Sequence, residues 1–209
     1  MPDFYLENDA RSRFGSNVAG VDEAGRGPLA GPVVAGAALL DPDLLPDVLL
    51  HGLNDSKKLS ASRRDALFSM LTSSPGVVVS VGIASVEEID SINILRATHL
   101  AMARAVNGLG VCPDVALIDG NQAPKSFPCP VMCVVKGDSL SLSIAAASIM
   151  AKVTRDRMMG ALSVGFPAYG WDRNMGYGTA AHREAITRHG PTPHHRRSFA
   201  GQGSLFESV

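Results

Sequence analysis

Cysteine is scarce in this sequence, long apolar runs are absent and the net charge is close to zero. The three cysteines, Cys112, Cys129 and Cys133, are odd in number and lack C-x-x-C spacing. This argues against a disulfide framework or a zinc site and predicts buried thiols in a reducing compartment. No apolar run approaches the roughly 20 residues that span a bilayer, and residues 1–5 lack the basic and apolar regions of a signal peptide. We therefore expect a cytoplasmic protein that does not associate with membranes.

The formal net charge of −1 argues weakly against a nucleic-acid partner, but the charges are unevenly distributed. Residues 1–135 contain ten Lys and Arg against 15 Asp and Glu, whereas residues 136–199 contain nine against four. The C-terminal part also holds four of the six histidines. A basic face on a neutral protein supports binding to a polyanion.

The chain of 209 residues, 45% of them hydrophobic, is long enough for one sizeable core and contains no internal repeat. Apolar segments that alternate with helical patterns predict an α/β fold, a mixed sheet with helices packed on it. The polar N-terminal arm and residues 41–55 and 165–178 are expected to be irregular. The predicted strands are Asn17–Val21, Pro32–Leu40, Val77–Ile83, Val115–Ile118 and Val131–Val135, and the predicted helices are 60–73, 85–108, Ser139–Leu162 and Ala180–His189.

Three of the predicted strands end at or near carboxylates. Asp22 and Glu23 follow the first strand, Asp119 follows the fourth and Asp138 lies beyond the fifth. Strand ends meet at one edge of a sheet, so these four side chains are expected to form a cluster. Clustered carboxylates suit hard divalent cations and two-metal phosphoryl hydrolysis. Adjacent strand residues point to opposite faces, so Asp22 and Glu23 reach one ion only if the strand bends or Glu23 contributes in another way.

Alternative interpretations compete with some of these assignments. Gly25 and Gly27 suggest a dinucleotide-binding loop, but Pro28 and the strand that follows contradict that pattern. Asp138 alone is typical of a helix N-cap. Tyr177 alone is typical of a loop aromatic that packs on the core.

The C-terminal histidines and one acidic residue are better explained as structural. His182, His194 and His195 lack zinc-ligand spacing and cysteine partners. They are expected to be structural or to lie near phosphates. Asp156, between two arginines, is expected to form an ion pair on a helix.

The sequence resembles the type 2 ribonuclease H family, and within it bacterial ribonuclease HII, from Val18 to Phe199. Seven blocks in the same order carry the resemblance. They are Asp22–Val33, Asp55–Ser60, Ile118–Gly120, Lys136–Asp138, Ala145–Val153, Gly176–Thr179 and Arg196–Phe199.

The resemblance implies a ribonuclease H-like mixed sheet flanked by helices, with a C-terminal helical extension. It implies hydrolysis 5′ to ribonucleotides in RNA–DNA hybrids and at single ribonucleotides embedded in duplex DNA, leaving 3′-OH and 5′-phosphate ends. The implied biological role is removal of RNA primers and misincorporated ribonucleotides. Mg²⁺ or Mn²⁺, as two ions, is the implied cofactor, and the implied catalytic and metal-binding residues are Asp22, Glu23, Asp119 and Asp138.

The resemblance also implies residues that contact the substrate. Gly25, Arg26 and Gly27 match the segment that reads the ribose 2′-OH, with Tyr177 beside that sugar. Glycines in such a segment expose backbone amides that hydrogen-bond the hydroxyl. Ser56 and Lys57 match phosphate contacts, which position the duplex without reading sequence.

The last ten residues are expected to form a flexible tail after a catalytic domain of residues 1–199. Within this tail, Gln202, Leu205 and Phe206 resemble the peptides with which bacterial repair proteins bind the sliding clamp. A disordered end with an incidental apolar pair is the alternative.

Two other functions remain open at this level. The first is a module that binds hybrids without cutting them, and the second is a phosphatase that hydrolyses nucleoside triphosphates at the same carboxylates. Strand incision distinguishes the nuclease from both.

Overall fold

The computed structural model describes residues 1–202, with the backbone alone at residues 200–202. Over this range the strands are β1 (Val18–Ala24), β2 (Val33–Leu40), β3 (Val77–Ala84), β4 (Val115–Asp119) and β5 (Val131–Val134). The α-helices are α1 (Tyr5–Phe14), α2 (Asp47–Gly52), α3 (Ala61–Leu71), α4 (Val86–Ile92), α5 (Ile94–Asn107), α6 (Leu142–Gly165), α7 (Trp171–Asn174) and α8 (Ala180–His189). No helix in this part of the chain is long and apolar enough to cross a membrane.

The strands form one mixed sheet in the order β3-β2-β1-β4-β5. The β1–β2 and β2–β3 pairs are antiparallel, whereas β1–β4 and β4–β5 are parallel. The predicted mixed sheet is therefore confirmed. The carboxyl ends of β1, β4 and β5 lie at the same edge.

Helix α6 packs closely on one face of the sheet because small residues line both surfaces. Ala145, Ala146 and Ala147 are fully buried. Gly20 and Gly36 lie opposite the helix, and a Cβ atom at either position would overlap the backbone of Ser143 or Ala147. The helix can therefore lie directly against β1 and β2 at the strand end where Asp22 is located.

The opposite face of the sheet is covered by α4 and α5, whose buried side chains share a core with β1, β2 and β4. Ser85 caps α4 in a full capping box with Glu88, and Ser60 caps α3, as the sequence predicts. A separate apolar cluster around Trp171 holds α7 and α8 against the end of α6. This cluster is the predicted C-terminal helical extension.

The structure corrects several predicted boundaries. The N-terminal arm is helical because buried Glu7 accepts hydrogen bonds from Ser141 and Ser143, at 2.6–2.9 Å, where α6 begins. Residues 41–55 contain α2, which buries Leu49. The helix predicted over residues 85–108 is interrupted at Asn93, which has a φ of 68°.

Two further expectations about local structure are wrong. Helix α6 spans Leu142–Gly165 rather than the predicted Ser139–Leu162, and its N-cap is Ser141, which also excludes the N-cap alternative for Asp138. Of the cysteines expected to be buried, Cys112 and Cys133 are exposed and Cys129 is partly exposed. Their positions near loops and on the edge strand β5 explain this difference.

Candidate active site

The predicted carboxylates lie at the edge where β1, β4 and β5 end. Asp22 and Glu23 lie near the carboxyl end of β1, and Asp119 is the last residue of β4. Asp138 lies in a 3₁₀ turn that follows β5. The parallel pairing of these strands explains why residues separated by more than 100 positions meet.

Asp22 and Glu23 lie on opposite faces of the strand, as the strand pattern predicts. Asp22 is 5% exposed and faces the Ser148 hydroxyl of α6. Glu23 lines a small cleft of about 110 Å³ beside α5, which also contains Asp119. Asp119 interacts electrostatically with both Asp22 and Glu23.

Burial makes the charged forms of these residues costly. Burial, together with the charges of Glu23 and Asp119, raises the pKa of Asp22 well above its usual range. Burial also raises the pKa of Glu23, although Arg26, 3.4 Å away, opposes the shift. A divalent cation at this edge would relieve the repulsion.

Asp138 interacts electrostatically with Asp119 and also with Asp55. Asp55 was not among the predicted site residues. Asp138 is 8% exposed, and burial and the charges of Asp55 and Asp119 raise its pKa. It shares a hydrogen bond with Asp55. The signal for Asp55 was present in the sequence, since it opens the block that contains Ser56 and Lys57.

Lysines surround the main cleft, which has a volume of about 630 Å³. Its lining includes Lys57, Lys58 and Lys136 beside Asp119 and Asp138. Burial alone would lower the pKa of Lys57. The attraction of four nearby carboxylates is stronger and raises this pKa above its usual value; they belong to Asp22, Asp55, Asp119 and Asp138. Ser56, a predicted phosphate contact, is buried and accepts a 2.8 Å hydrogen bond from Ser148.

The carboxylates do not form a closed set of metal ligands. Among residues 1–202, no three of the His, Cys, Asp and Glu side chains are arranged so that they could hold a metal ion. The acidic oxygens, their burial and their mutual repulsion nevertheless match the donor chemistry that hard divalent cations require.

The glycine-flanked loop continues directly from β1. Gly25 has a φ of 95°, and a Cβ atom there would overlap Arg155, so glycine is required at this position. Arg26 is exposed. Gly27 faces the ring of Tyr177, which is 47% exposed. The structure thus places the loop of Gly25, Arg26 and Gly27, which follows Asp22 by three to five positions, beside Tyr177.

A buried histidine pair fixes the backbone at Tyr177. His195 Nδ1 accepts from the Thr192 amide at 2.9 Å, which places its proton on Nε2. His182 Nε2 accepts from Trp171 at 3.0 Å and contacts His195 Nε2 at 3.1 Å. The remaining His182 proton therefore lies on Nδ1 and is donated to the Tyr177 carbonyl at 2.9 Å. Both rings are neutral, and the expectation of structural histidines is supported.

Other polar residues of the C-terminal part are also engaged within the protein. Asp156 pairs with Lys152 at 2.8 Å, as expected for a structural ion pair. Arg155 and Arg196 are fully buried. The surplus of basic residues in this part of the sequence is therefore only partly a surface feature.

The fold and its acidic edge together define a class of protein, the ribonuclease H-like nucleases. Ribonuclease H2 from Pyrococcus horikoshii OT3 is 29% identical to this chain, with a TM-score of 0.73 over 91% of this chain and 97% of the other. The ribonuclease HII in a PCNA complex from Archaeoglobus fulgidus is 26% identical, with a TM-score of 0.74 over 92% and 98%.

Sequence comparison identifies the family. The Ribonuclease HII family model matches residues 19–202. A ribonuclease HII from Paramagnetospirillum magneticum is 57% identical over 200 residues, 96% of each chain. The chain belongs to the ribonuclease HII family. It is a ribonuclease H, an endonuclease acting on RNA–DNA hybrids, and its family depends on divalent metal ions. Membership argues against the hybrid-binding module without catalysis.

The histidine pair predicts acid sensitivity of the fold. Burial and the neighbouring His182 lower the pKa of His195 to about 4, below the usual value of about 6.5. The unfolded chain therefore binds a proton first as the pH falls, and the free energy of unfolding decreases between pH 6.5 and 4. We expect His195 to contribute on the order of 2 kcal/mol to this decrease.

Urea denaturation of wild-type protein and His195→Gln at pH 7, 5.5 and 4.5 measures this contribution. The variant should lose less stability on acidification than the wild type. Replacing exposed His51 with Gln is the matched control and should preserve the wild-type pH dependence. Equal pH dependence in wild type and His195→Gln would contradict the prediction.

Proposed function

We propose that this chain hydrolyses the phosphodiester 5′ to a ribonucleotide, both in RNA–DNA hybrids and at single ribonucleotides within duplex DNA. The products carry 3′-OH and 5′-phosphate ends. One observation carries the proposal: the loop of Gly25, Arg26 and Gly27 continues directly from β1, whose last three residues include Asp22 and Glu23. Recognition of a ribose and attack on the adjacent phosphate are thereby coupled along six residues of backbone, Asp22 to Gly27.

Asp22, Glu23, Asp119 and Asp138 are the proposed catalytic residues and the proposed ligands of two divalent ions, Mg²⁺ or Mn²⁺. Divalent ions held there would supply an activated water and stabilisation of the leaving oxygen. Asp55 orients Asp138 through their shared hydrogen bond. The Glu23 amide orients Asp22 through a hydrogen bond of 2.7 Å.

The proposed substrate contacts surround these carboxylates. The exposed face of Tyr177 packs beside the ribose, next to Gly27. Lys57 contacts a phosphate at the entrance of the main cleft, with Lys58 and Lys136 nearby. Phosphate contacts fix the position of the duplex, whereas the 2′-OH distinguishes a ribonucleotide from its deoxy neighbours.

The biological role that follows is the removal of RNA primers and misincorporated ribonucleotides from DNA in the cytoplasm. This role needs no sequence specificity. The contacts proposed here go to sugar and phosphate, which every duplex shares.

Neutralising one carboxylate tests the proposed chemistry. Asp22→Asn and Asp138→Asn should each reduce incision of a duplex with one ribonucleotide by on the order of a hundredfold or more. Thermal stability should be retained or increased, because each change removes a buried, repelled charge. A gel assay of a labelled duplex, with Mg²⁺ and with EDTA, measures incision.

The control is Asp172→Asn, an exposed residue of α7 that should incise like the wild type. Near-normal turnover by either active-site variant would overturn the assignment. Hydrolysis of nucleoside triphosphates without strand incision by the wild type would favour the phosphatase instead.

We further propose that residues 200–209 form a tail, outside a catalytic domain of residues 1–199, that binds the sliding clamp through Gln202, Leu205 and Phe206. Leu205 and Phe206 lie outside the described residues, and only the backbone of Gln202 is described. Support comes from the resemblance to clamp-binding peptides and from the related Archaeoglobus fulgidus protein, whose structure is a PCNA complex.

Deletion of residues 202–209 should abolish binding to the bacterial sliding clamp and leave hydrolysis of a ribonucleotide-containing duplex unchanged. Surface plasmon resonance with immobilised clamp measures the first effect. The double change Leu205→Ala and Phe206→Ala should act like the deletion. Unchanged clamp affinity after deletion would dispose of this proposal.

A further inference from the structure

Two arginines lie buried behind the glycine loop without a carboxylate partner. Arg155 is 1% exposed and Arg196 is fully buried. Neither guanidinium forms an ion pair with any residue in the described range 1–202. Asp156 attracts Arg155 and Asp90 attracts Arg196 only at longer range. Buried cations without a direct carboxylate contact are rare because their desolvation is expensive, so this pair calls for a functional explanation.

Within residues 1–202, both guanidinium groups donate hydrogen bonds to backbone carbonyls and to no side chain. Arg196 donates at 2.6–3.2 Å to the carbonyl oxygens of Gly25, Arg26, Gly31 and Pro32. Arg155 donates at 3.0–3.1 Å to those of Ala30, Pro32 and Met175. Together they hold both ends of the loop between β1 and β2.

The two charges also oppose each other. Burial and the charge of Arg155 lower the pKa of Arg196 to about 9. The hydrogen bonds to these carbonyls therefore hold two neighbouring cations in the protein interior despite their mutual repulsion.

The geometry of the peptide bond determines what these contacts do. In a planar trans peptide, the carbonyl of one residue and the N–H of the next point in opposite directions. The Gly25 and Arg26 carbonyls point inward to Arg196, so the N–H groups of Arg26 and Gly27 point outward. Neither N–H donates a hydrogen bond to any residue that the structure describes. They are left available to a ligand acceptor beside Tyr177.

We propose that Arg196 and Arg155 are positioning residues for ribonucleotide discrimination. By fixing the loop carbonyls inward, they orient the Arg26 and Gly27 amides toward the ribose 2′-OH. This inference rests on the proposed function of the loop. Arg155 extends the effect to the second ribose-binding element, because its bond to the Met175 carbonyl fixes the segment that leads to Tyr177.

The test compares binding of two duplexes of the same sequence, one with a single ribonucleotide and one entirely of DNA, by fluorescence anisotropy in EDTA to prevent hydrolysis. The variant is Arg196→Lys, which keeps the charge but loses the guanidinium fork. Its ratio of affinities for the two duplexes should fall about tenfold, the effect of roughly one misdirected hydrogen bond. Arg155→Lys should change the ratio in the same direction.

Partial unfolding cannot imitate this result, since a smaller active fraction lowers both apparent affinities equally and leaves the ratio unchanged. The matched control is Arg197→Lys, an exposed neighbour that should keep the wild-type ratio. An unchanged ratio in folded Arg196→Lys, or equal losses on both duplexes, would overturn the inference.

A measurement on wild-type protein decides the matter if the variants do not fold. The amide resonances of Arg26 and Gly27 should shift in NMR spectra with the ribonucleotide-containing duplex and not with the DNA duplex. Equal shifts would overturn the positioning role. Wild-type protein that incises at the ribonucleotide yet binds both duplexes equally would leave the nuclease proposal standing and remove the inference alone. Absence of incision would remove both.

Discussion

Repulsion between carboxylates at one edge of the sheet is the constraint on which the rest of the structure depends. The parallel pairing of β1, β4 and β5 brings these side chains together, and burial raises the pKa of Asp22 and Asp138. The fold tolerates this cost through the hydrogen bond from the Glu23 amide and through the charge of Lys57. Stability given up at such a site is a common signature of function.

Buried positive charge lies close behind this acidic edge. Arg155 and Arg196 donate hydrogen bonds to carbonyls of the loop that continues from β1. The carboxylates of Asp22 and Glu23 therefore precede this loop, and the buried arginines hold it from behind. The acidic end is suited to binding cations at the scissile phosphate. The segment held by the arginines is suited to presenting amides to the neighbouring sugar. Small shifts in either part would separate ribose recognition from hydrolysis.

Much of the fold and the core of the site were predictable from the sequence because they depend on local patterns. Alternating apolar runs predicted the strands, and the carboxylates at their ends predicted the acidic edge. Helix α1 was missed because it depends on a contact of Glu7 with residues more than 130 positions away. The positions of Arg155 and Arg196 were missed for a similar reason: a buried arginine and a surface arginine look alike in sequence. Asp55 was recognisable only as part of a resembling block.

Metal binding tests the central claim most directly. Isothermal titration of metal-free protein with Mn²⁺ should show two ions bound per chain, with an increase in melting temperature on saturation. The same titration of Asp22→Asn should show weaker binding of at least one ion. Protein that incises ribonucleotide-containing DNA but binds no Mn²⁺, or binds it equally well after the substitution, would contradict the account.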